Sequence, residues 1–210
     1  YYVESTIKPH EVIGLSSWSG TLLALVDAMH PVPRKNDVRV VQILGGIGNP
    51  AAEIHAARLT GRFAKLVNGE ATFLPTPGVV GSEAALQVLR EDPYVQEATT
   101  LFDKVSLALI GIGAVEPSDL LAKSGNTFSE AELEILRSEG AVGDILLHFF
   151  DEDGQPIKSS LDHRVMSMNL EQIRRADRAV AVAGSRRKQD AILGALRGKW
   201  INVLITDCFT

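Results

Sequence analysis

The sequence predicts an α/β fold with a mostly parallel, Rossmann-like sheet flanked by helices. Three apolar runs of β type end in glycine and lead into a helix or loop, in Val38–Pro50, Lys104–Gly113 and Arg178–Lys188. The apolar residues in these runs are nearly continuous, which is typical of parallel strands buried on both faces. Helical patterns separate the runs, so strands and helices alternate. The length of 210 residues suits a single domain over 1–210.

The first half of the chain alternates between the two patterns. Leu22, Leu23, Leu25 and Val26 have helical spacing. Pro50 precedes a further helical pattern, and the first turn of a helix tolerates proline. The predicted elements are strand Glu11–Ser16, helix Gly20–Met29, strand Arg39–Leu44, helix Ala51–Val67, strand Ala71–Leu74, helices Ser82–Glu91 and Pro93–Phe102, and strand Val105–Ile110.

The second half adds a small antiparallel appendage to this alternation. Ser129 and Glu132 form a capping box that opens a helix to about Ser138. An Asp-Gly pair then indicates a hairpin turn. The appendage is predicted as strand Asp144–Phe150, turn Asp151–Gly154, strand Gln155–Ile157 and a third piece, Arg164–Met168. The last predicted elements are strand Ala179–Ala183, a helix from about Arg186 to Leu196, and strand Trp200–Ile205.

Composition argues against several classes of protein. Lys and Arg total 21 against 26 Asp and Glu, and a formal charge of -5 gives no electrostatic footprint for DNA. The single cysteine, Cys208, excludes an internal disulfide and favours a reducing compartment. No apolar run reaches the length of a membrane span and no signal-peptide pattern is present, so we expect a cytoplasmic protein without a membrane partner. The histidines lack metal-ligand spacing, and neither a metal nor a cofactor is expected.

The glycine-rich strand exits predict a pocket for a small phosphorylated or polyhydroxylated molecule. The carboxyl ends of parallel strands border the ligand crevice, and helix N-termini favour anions. The hydroxyls of Ser19 and Thr21, with Gly20 between them, suit an oxyanion at a helix start. Lys188 opens another helix, where a cation opposes the macrodipole unless an anion is shared. A solvated lysine is the alternative.

Two other kinds of site fit the sequence less well. Gly46–Ala51 matches the dinucleotide fingerprint, which also requires an acidic residue at the end of the next strand. Here the acid, Glu70, stands at the start of that predicted strand instead. These glycines could instead serve only a tight turn. No nucleophile elbow surrounds Ser16–Ser19. His55 could reach the pocket rim, although such a histidine is more often on a helix surface, and Asp144 could be only a hairpin cap.

Six motifs in order carry a resemblance to a known family. They are Gly14–Thr21, Gly45–Gly48 with Glu53–His55, Ala108–Gly113, Gly140–Asp144 with Phe149–Gly154, Val182–Lys188 and Trp200–Asp207. With these motifs the chain resembles the effector-binding domain of SorC-type bacterial transcriptional regulators. The likeness runs from about Val12 to Asp207.

The resemblance implies a metabolite sensor with a fold like that of sugar-phosphate isomerases and no catalytic activity. In such proteins a helix-turn-helix domain precedes the sensor, so DNA contact is expected only through an N-terminal domain absent from this chain. A homodimer or homotetramer is also expected. The helix from Ser129 and the apolar strand Ile145–Phe150 favour the same assembly, because their apolar length exceeds what one sheet face covers.

The resemblance also implies roles for individual residues. It places effector phosphate at Gly20 and Thr21, at the glycine loop and at Lys188, and sugar hydroxyls at Asp144. The full predicted effector set is Ser19, Gly20, Thr21, Gly45, Gly46, Gly48, Gly113, Asp144 and Lys188. The chain departs from the family pattern at Ala57, where many relatives have asparagine, and at Gly184-Ser185, where two glycines are usual.

An enzyme of the sugar-phosphate isomerase type is the alternative function. Such an enzyme needs a base beside the substrate carbonyl and a second group to form an acid/base pair. Asp144 could serve as the base, but the sequence indicates no partner for it. A sensor domain that binds a sugar phosphate or a polyol is therefore the favoured prediction.

Overall fold

The computed structural model describes residues 1–33 and 37–210. Its central feature is a six-stranded sheet in the order β3-β2-β1-β4-β8-β9, and all five neighbouring pairs are parallel. The strands are β1 Val12–Leu15, β2 Arg39–Gln42, β3 Glu70–Thr72, β4 Leu107–Ile110, β5 Gly113–Ala114, β6 Gly143–Ile145, β7 His148–Phe150, β8 Arg178–Val182 and β9 Val203–Ile205. This order confirms the predicted Rossmann-like fold.

Helices cover both faces of the sheet. They are α1 Tyr2–Thr6, α2 Gly20–Ala28, α3 Pro50–Leu66, α4 Glu83–Arg90, α5 Pro93–Thr99, α6 Asp119–Ser124, α7 Glu130–Ser138, α8 Leu170–Arg175 and α9 Gln189–Arg197. Short 3₁₀ turns span Phe102–Lys104, Ser160–Arg164 and Arg186–Lys188. The order agrees with the predicted alternation, with most predicted bounds within a few residues.

Alternate side chains of the central parallel strands supply two separate cores. Leu107 and Leu109 of β4 pack with residues of α2 and α3, whereas Ala108 and Ile110 pack on the opposite face. Successive strand residues point to opposite faces, so a strand buried on both sides must be apolar throughout. All four residues of β4 are buried. The continuous apolar run in the sequence is therefore explained by two-sided burial.

Polar side chains fix where several helices begin. Ser19, Ser82 and Ser129 each accept a hydrogen bond from a backbone N–H in the first turn of α2, α4 and α7, respectively. At α7 the Glu132 carboxylate also accepts from the Ser129 N–H, which completes the predicted capping box. These bonds satisfy N–H groups that have no partner within the helix.

The antiparallel appendage differs from the prediction in the position of its turn. Asp144–Phe150 is not one strand, because Leu146 and Leu147 both have positive φ, of 54° and 67°, and connect β6 to β7 as a two-residue hairpin. The third strand of this sheet is β5, which pairs with β6. The predicted turn at Asp151–Gly154 is present beyond β7, where the Gly154 N–H donates to the Asp151 carbonyl.

The predicted third piece, Arg164–Met168, lies elsewhere. Val165 and Ser167 form isolated antiparallel bridges with Val79 and Leu44, next to the main sheet rather than in the hairpin. The hairpin strands are themselves covered within this chain, since Ile145, Phe149 and Phe150 are buried. The segment Ile145–Phe150, predicted as one strand, therefore leaves no uncovered apolar face, and that part of the argument for oligomers was wrong.

Candidate functional site

A cavity of about 560 Å³ opens at the carboxyl ends of β1 and β4. The sheet order reverses between these two neighbouring strands, because β2 and β3 extend on one side and β8 and β9 on the other. Open α/β sheets bind ligands at such a switch point, where the loops after the two strands diverge. The cavity volume lies within the usual range for small-molecule sites.

Five parts of the chain form the cavity wall. Segments 16–21 and 111–121 follow β1 and β4, Leu44 follows β2, the hairpin supplies residues from β6 and its turn, and the chain after β8 supplies two cations. The lining residues are Ser16, Trp18, Ser19, Gly20, Thr21, Leu44, Gly111, Ile112, Gly113, Ala114, Glu116, Pro117, Ser118, Asp119, Leu120, Leu121, Asp144, Leu146, Leu147, Arg187 and Lys188.

The N-terminus of α2 forms one side of the cavity. Ser19 caps this helix by accepting a hydrogen bond of 3.2 Å from the Leu22 N–H. Gly20 and Thr21 follow in the first turn, and both line the cavity. The N–H groups of a first turn lack intrahelical acceptors and carry the positive end of the helix dipole. This side of the cavity therefore favours an anion.

Lys188 brings a cation to the cavity from the start of α9. Its side chain is partly buried, and Nζ donates a hydrogen bond of 2.7 Å to the Ile112 carbonyl. Burial lowers the pKa of the Lys188 ammonium, while the Asp144 carboxylate counteracts that change. An anionic ligand would stabilise the charged ammonium and so compensate for the hydration that it loses on burial. Arg187 supplies a second cation to the same wall.

Asp144 contributes a buried carboxylate to the cavity wall. It is 8 % exposed, and Oδ2 accepts a hydrogen bond of 2.9 Å from the Leu147 N–H. Burial raises the pKa of Asp144 from its ordinary 3.8 to about 6, although the Leu147 N–H and the charge of Lys188 oppose the rise. Buried acids with raised pKa values are common at functional sites.

The raised pKa of Asp144 predicts a specific dependence of stability on pH. Between about pH 4 and pH 6 the folded chain holds this proton while the unfolded chain releases it, so the free energy of unfolding falls as the pH rises. The loss is about 3 kcal/mol, at roughly 1.4 kcal/mol for each pKa unit. Asp144→Asn should therefore be more stable than the wild type at pH 7 and similar to it at pH 4.

Urea unfolding of both proteins at a series of pH values measures this difference. Other carboxyl groups titrate in both proteins, so only the difference between the two curves reports on Asp144. A difference that stays constant from pH 4 to pH 7 would contradict the assignment.

The turn between β6 and β7 is strained and lines the cavity. Leu146 and Leu147 are 4 % and 3 % exposed. Their backbones lie in the left-handed region, which is unfavourable for residues other than glycine and asparagine. The Asp144 carboxylate, in β6, accepts a hydrogen bond from the Leu147 N–H of the turn. The Leu146 carbonyl accepts a hydrogen bond of 3.1 Å from Ser167 Oγ, and this hydroxyl lies 2.9 Å from His148 Nε2. These contacts stabilise a turn that places two leucine side chains in the wall.

The structure brings together six of the nine predicted effector residues. Those that line the cavity are Ser19, Gly20, Thr21, Gly113, Asp144 and Lys188. Gly45, Gly46 and Gly48 do not line it. A side chain at Gly45 would collide with the Pro77 carbonyl, and one at Gly48 with the Ser124 carbonyl. The glycine loop after β2 therefore serves close backbone packing, as the tight-turn alternative anticipated.

Other lining residues were not predicted from the sequence. Arg187, Glu116 and Asp119 line the cavity but were not among the predicted effector residues. Ser118 caps α6, a Pro-Ser-Asp signal for a helix start that could have indicated a structured loop at this position. Nothing in the local pattern around Leu146 and Leu147 indicates a turn, since neither is a turn-forming residue.

The remaining sequence candidates lie outside the cavity. His55 is part of α3 and is not among the lining residues. Glu70 begins β3 and so lies at the amino end of the sheet, which agrees with the argument against a dinucleotide site. Within residues 1–33 and 37–210, no helix has the length and apolar character needed to cross a membrane.

The whole chain matches a known family. The family model described as "Putative sugar-binding domain" covers residues 1–210. The chain is 32% identical over 209 residues to the "Deoxyribonucleoside regulator" of Bacillus subtilis, covering 100% of this chain and 66% of the relative. It is 35% identical over 206 residues to the "Erythritol catabolism regulatory protein EryD" of Brucella abortus, covering 94% of this chain and 61% of the relative.

Solved structures of similar proteins share the fold. The full-length sorbitol operon regulator SorC from Klebsiella pneumoniae superimposes with a TM-score of 0.86 at 25% identity, covering 98% of this chain and 65% of that chain. The chain thus spans about two thirds or less of the length of these relatives.

Proposed function

The chain belongs to the family of sugar-binding domains found in SorC- and DeoR-type regulators, and on that basis we propose that its cavity binds a phosphorylated sugar or polyol as a regulatory effector. In this proposal, effector binding modulates DNA binding by a longer protein of which this chain is one part. The residues assigned to the effector are Ser19, Gly20, Thr21, Gly113, Asp144 and Lys188.

One observation carries this proposal, namely that the same cavity combines positive groups with a buried carboxylate. The α2 N-terminus, Lys188 and Arg187 present positive groups suited to a phosphate. Asp144 presents a buried carboxylate, which as an anion can only accept hydrogen bonds and therefore suits hydroxyl donors. A small molecule that carries both a phosphate and several hydroxyl groups can bond to both kinds of group.

Apolar side chains supply the remaining wall. Trp18, Leu44, Leu146 and Leu147 line the space between the polar groups, and the Trp18 Nε1–H is already bonded to the Gly45 carbonyl at 2.7 Å. The carbon skeleton of a sugar or polyol can pack on such a surface. The relatives are named for a deoxyribonucleoside and for erythritol, so the names favour the polyhydroxylated class without selecting one member.

The isomerase alternative has weaker support. Asp144 already accepts the Leu147 N–H, and Glu116 of the outer wall lies 3.1 Å from the Arg137 guanidinium in an ion pair. Neither arrangement resembles a carboxylate pair poised for proton transfer. The curated relatives named above are regulators rather than enzymes. Incubation with pentose and hexose phosphates should therefore produce no aldose–ketose conversion above a control without protein.

A thermal-shift screen tests the proposed function. Ligand at about 100 times its dissociation constant should stabilise the fold by roughly 2.7 kcal/mol. For a chain of this size that corresponds to a rise in Tm of roughly 5–10 °C. The screen should pair each sugar phosphate or polyol phosphate with its unphosphorylated counterpart. If only unphosphorylated compounds raise the Tm, the phosphate assignment fails while the hydroxyl assignment at Asp144 survives.

A further inference from the structure

Ser185 adopts a backbone conformation that favours glycine. Its φ and ψ are 98° and 137°, in a region where an L side chain is strained. Ser185 stands between β8 and the 3₁₀ turn Arg186–Lys188, and the Lys188 N–H donates to its carbonyl at 2.9 Å. The direction in which the chain leaves Ser185 therefore sets the position of the Lys188 backbone. A strained residue persists only when its surroundings hold it.

Asp207 and Thr210 hold Ser185 in this conformation. The Ser185 N–H donates to Thr210 Oγ1 at 2.8 Å and lies 3.2 Å from Asp207 Oδ2. Thr210 Oγ1 in turn donates to Asp207 Oδ2 at 2.8 Å, and Oδ1 accepts from the Phe209 N–H at 2.7 Å. Oδ2 therefore joins the segment after β9 to the segment after β8, whereas Oδ1 orders the segment after β9 itself.

The same carboxylate lies directly against the backbone of Gly184. A side chain at this position would collide with Asp207 Oδ2. The close approach of Asp207 therefore requires a glycine at position 184. At Ser185 the constraint is instead the strained backbone conformation. Neither Asp207 nor Thr210 lines the cavity.

We propose that Asp207 is a positioning residue for Lys188, fixing the strained turn at Ser185 so that the lysine ammonium faces the cavity. Its carboxylate acts through the Ser185 N–H and does not contact the effector. With this support, Lys188 Nζ reaches the Ile112 carbonyl at 2.7 Å. Without it, Ser185 can relax to negative φ, and the Lys188 side chain is free to turn towards solvent. The inference rests on the proposed function only for the ligand that Lys188 would bind.

The Lys188 ammonium provides a direct measurement that needs no ligand. Its pKa can be followed by NMR of the lysine side chains, with the signal assigned by its loss in Lys188→Arg. In the wild type the pKa should lie below that of an ordinary lysine, because burial disfavours the charge. In Asp207→Ala it should rise towards the ordinary value. Removal of a negative charge alone would lower a lysine pKa, so positioning and simple electrostatics predict opposite signs.

Two further variants sharpen the test. Asp190→Ala removes an acid from the first turn of α9 without touching Ser185, and should not raise the Lys188 pKa. Ser185→Gly removes the strain, so in the double variant with Asp207→Ala the Lys188 pKa should return most of the way to the wild-type value. An unchanged Lys188 pKa in folded Asp207→Ala, or no recovery with Ser185→Gly, would overturn the proposal.

Inorganic phosphate separates this inference from the proposed function. Addition of phosphate should shift the Lys188 signal of the wild type, and Asp207→Ala should require at least tenfold more phosphate for the same shift. If Asp207→Ala changes the Lys188 pKa as expected but phosphate leaves the wild-type signal unmoved, positioning holds and the phosphate assignment fails. If phosphate binds both proteins equally, Asp207 does not position Lys188.

Discussion

Lys188→Ala is expected to weaken binding of a sugar phosphate by roughly tenfold to more than a hundredfold. A hydrogen bond to a charged group contributes about 1.5–3 kcal/mol, and each 1.4 kcal/mol is about a factor of ten in affinity. The partly buried ammonium strengthens the effect, because water competes less for it. Titration calorimetry with the best sugar phosphate from the thermal-shift screen measures the change.

Arg186→Ala is the matched control for Lys188→Ala. Arg186 is exposed, lies two residues away in the same 3₁₀ turn, and is not a lining residue, whereas Arg187 is. Arg186→Ala should leave affinity within about twofold, and Arg187→Ala should cause an intermediate loss. Folding should change little in Lys188→Ala, since the Ile112 carbonyl faces the cavity and can bond to water. Full affinity in Lys188→Ala with loss in Arg186→Ala would show that the wrong cation was assigned.

The convergence of Lys188 and the α2 N-terminus could be predicted because it follows from general rules, whereas Asp144 was assigned to the site only through the family resemblance. Buried parallel strands are continuous in apolar residues, serines cap helices, and residues after the strands meet at one edge of the sheet. Those rules place Ser19, Gly113 and Lys188 at the same edge without any knowledge of detailed packing.

The features that the sequence did not reveal depend on tertiary contacts. Leu146 and Leu147 form a turn only because Asp144 and Ser167 hold their backbone groups, and two leucines have no turn propensity of their own. Gly45 and Gly48 need to be glycines because backbone carbonyls of other loops lie where their Cβ atoms would be. A glycine that frees an N–H group for a ligand and one that admits a neighbouring carbonyl look the same in a sequence.

Gly113 shows how closely the two strands of the appendage are fitted at the site. It pairs with Asp144 between β5 and β6, and both residues line the cavity. A Cβ atom at Gly113 would collide with the Asp144 carboxylate oxygen Oδ1. Asp144 cannot move away freely, because Oδ2 is bonded to the Leu147 N–H and the side chain is buried. The absence of a side chain at 113 therefore creates the space that Asp144 occupies.

Gly113→Ala should destabilise the fold by about 1–3 kcal/mol, the usual cost of overpacking a buried site, and should weaken effector binding at least tenfold because Asp144 is displaced. Urea unfolding and titration calorimetry measure the two effects. Gly81→Ala is the control, since a Cβ there meets open space and surface changes usually stay within about 0.5 kcal/mol. In an Asp144→Ala background the clashing carboxylate is gone, so Gly113→Ala should lose most of its cost in stability. An equal cost in both backgrounds would mean that the two residues do not share this space.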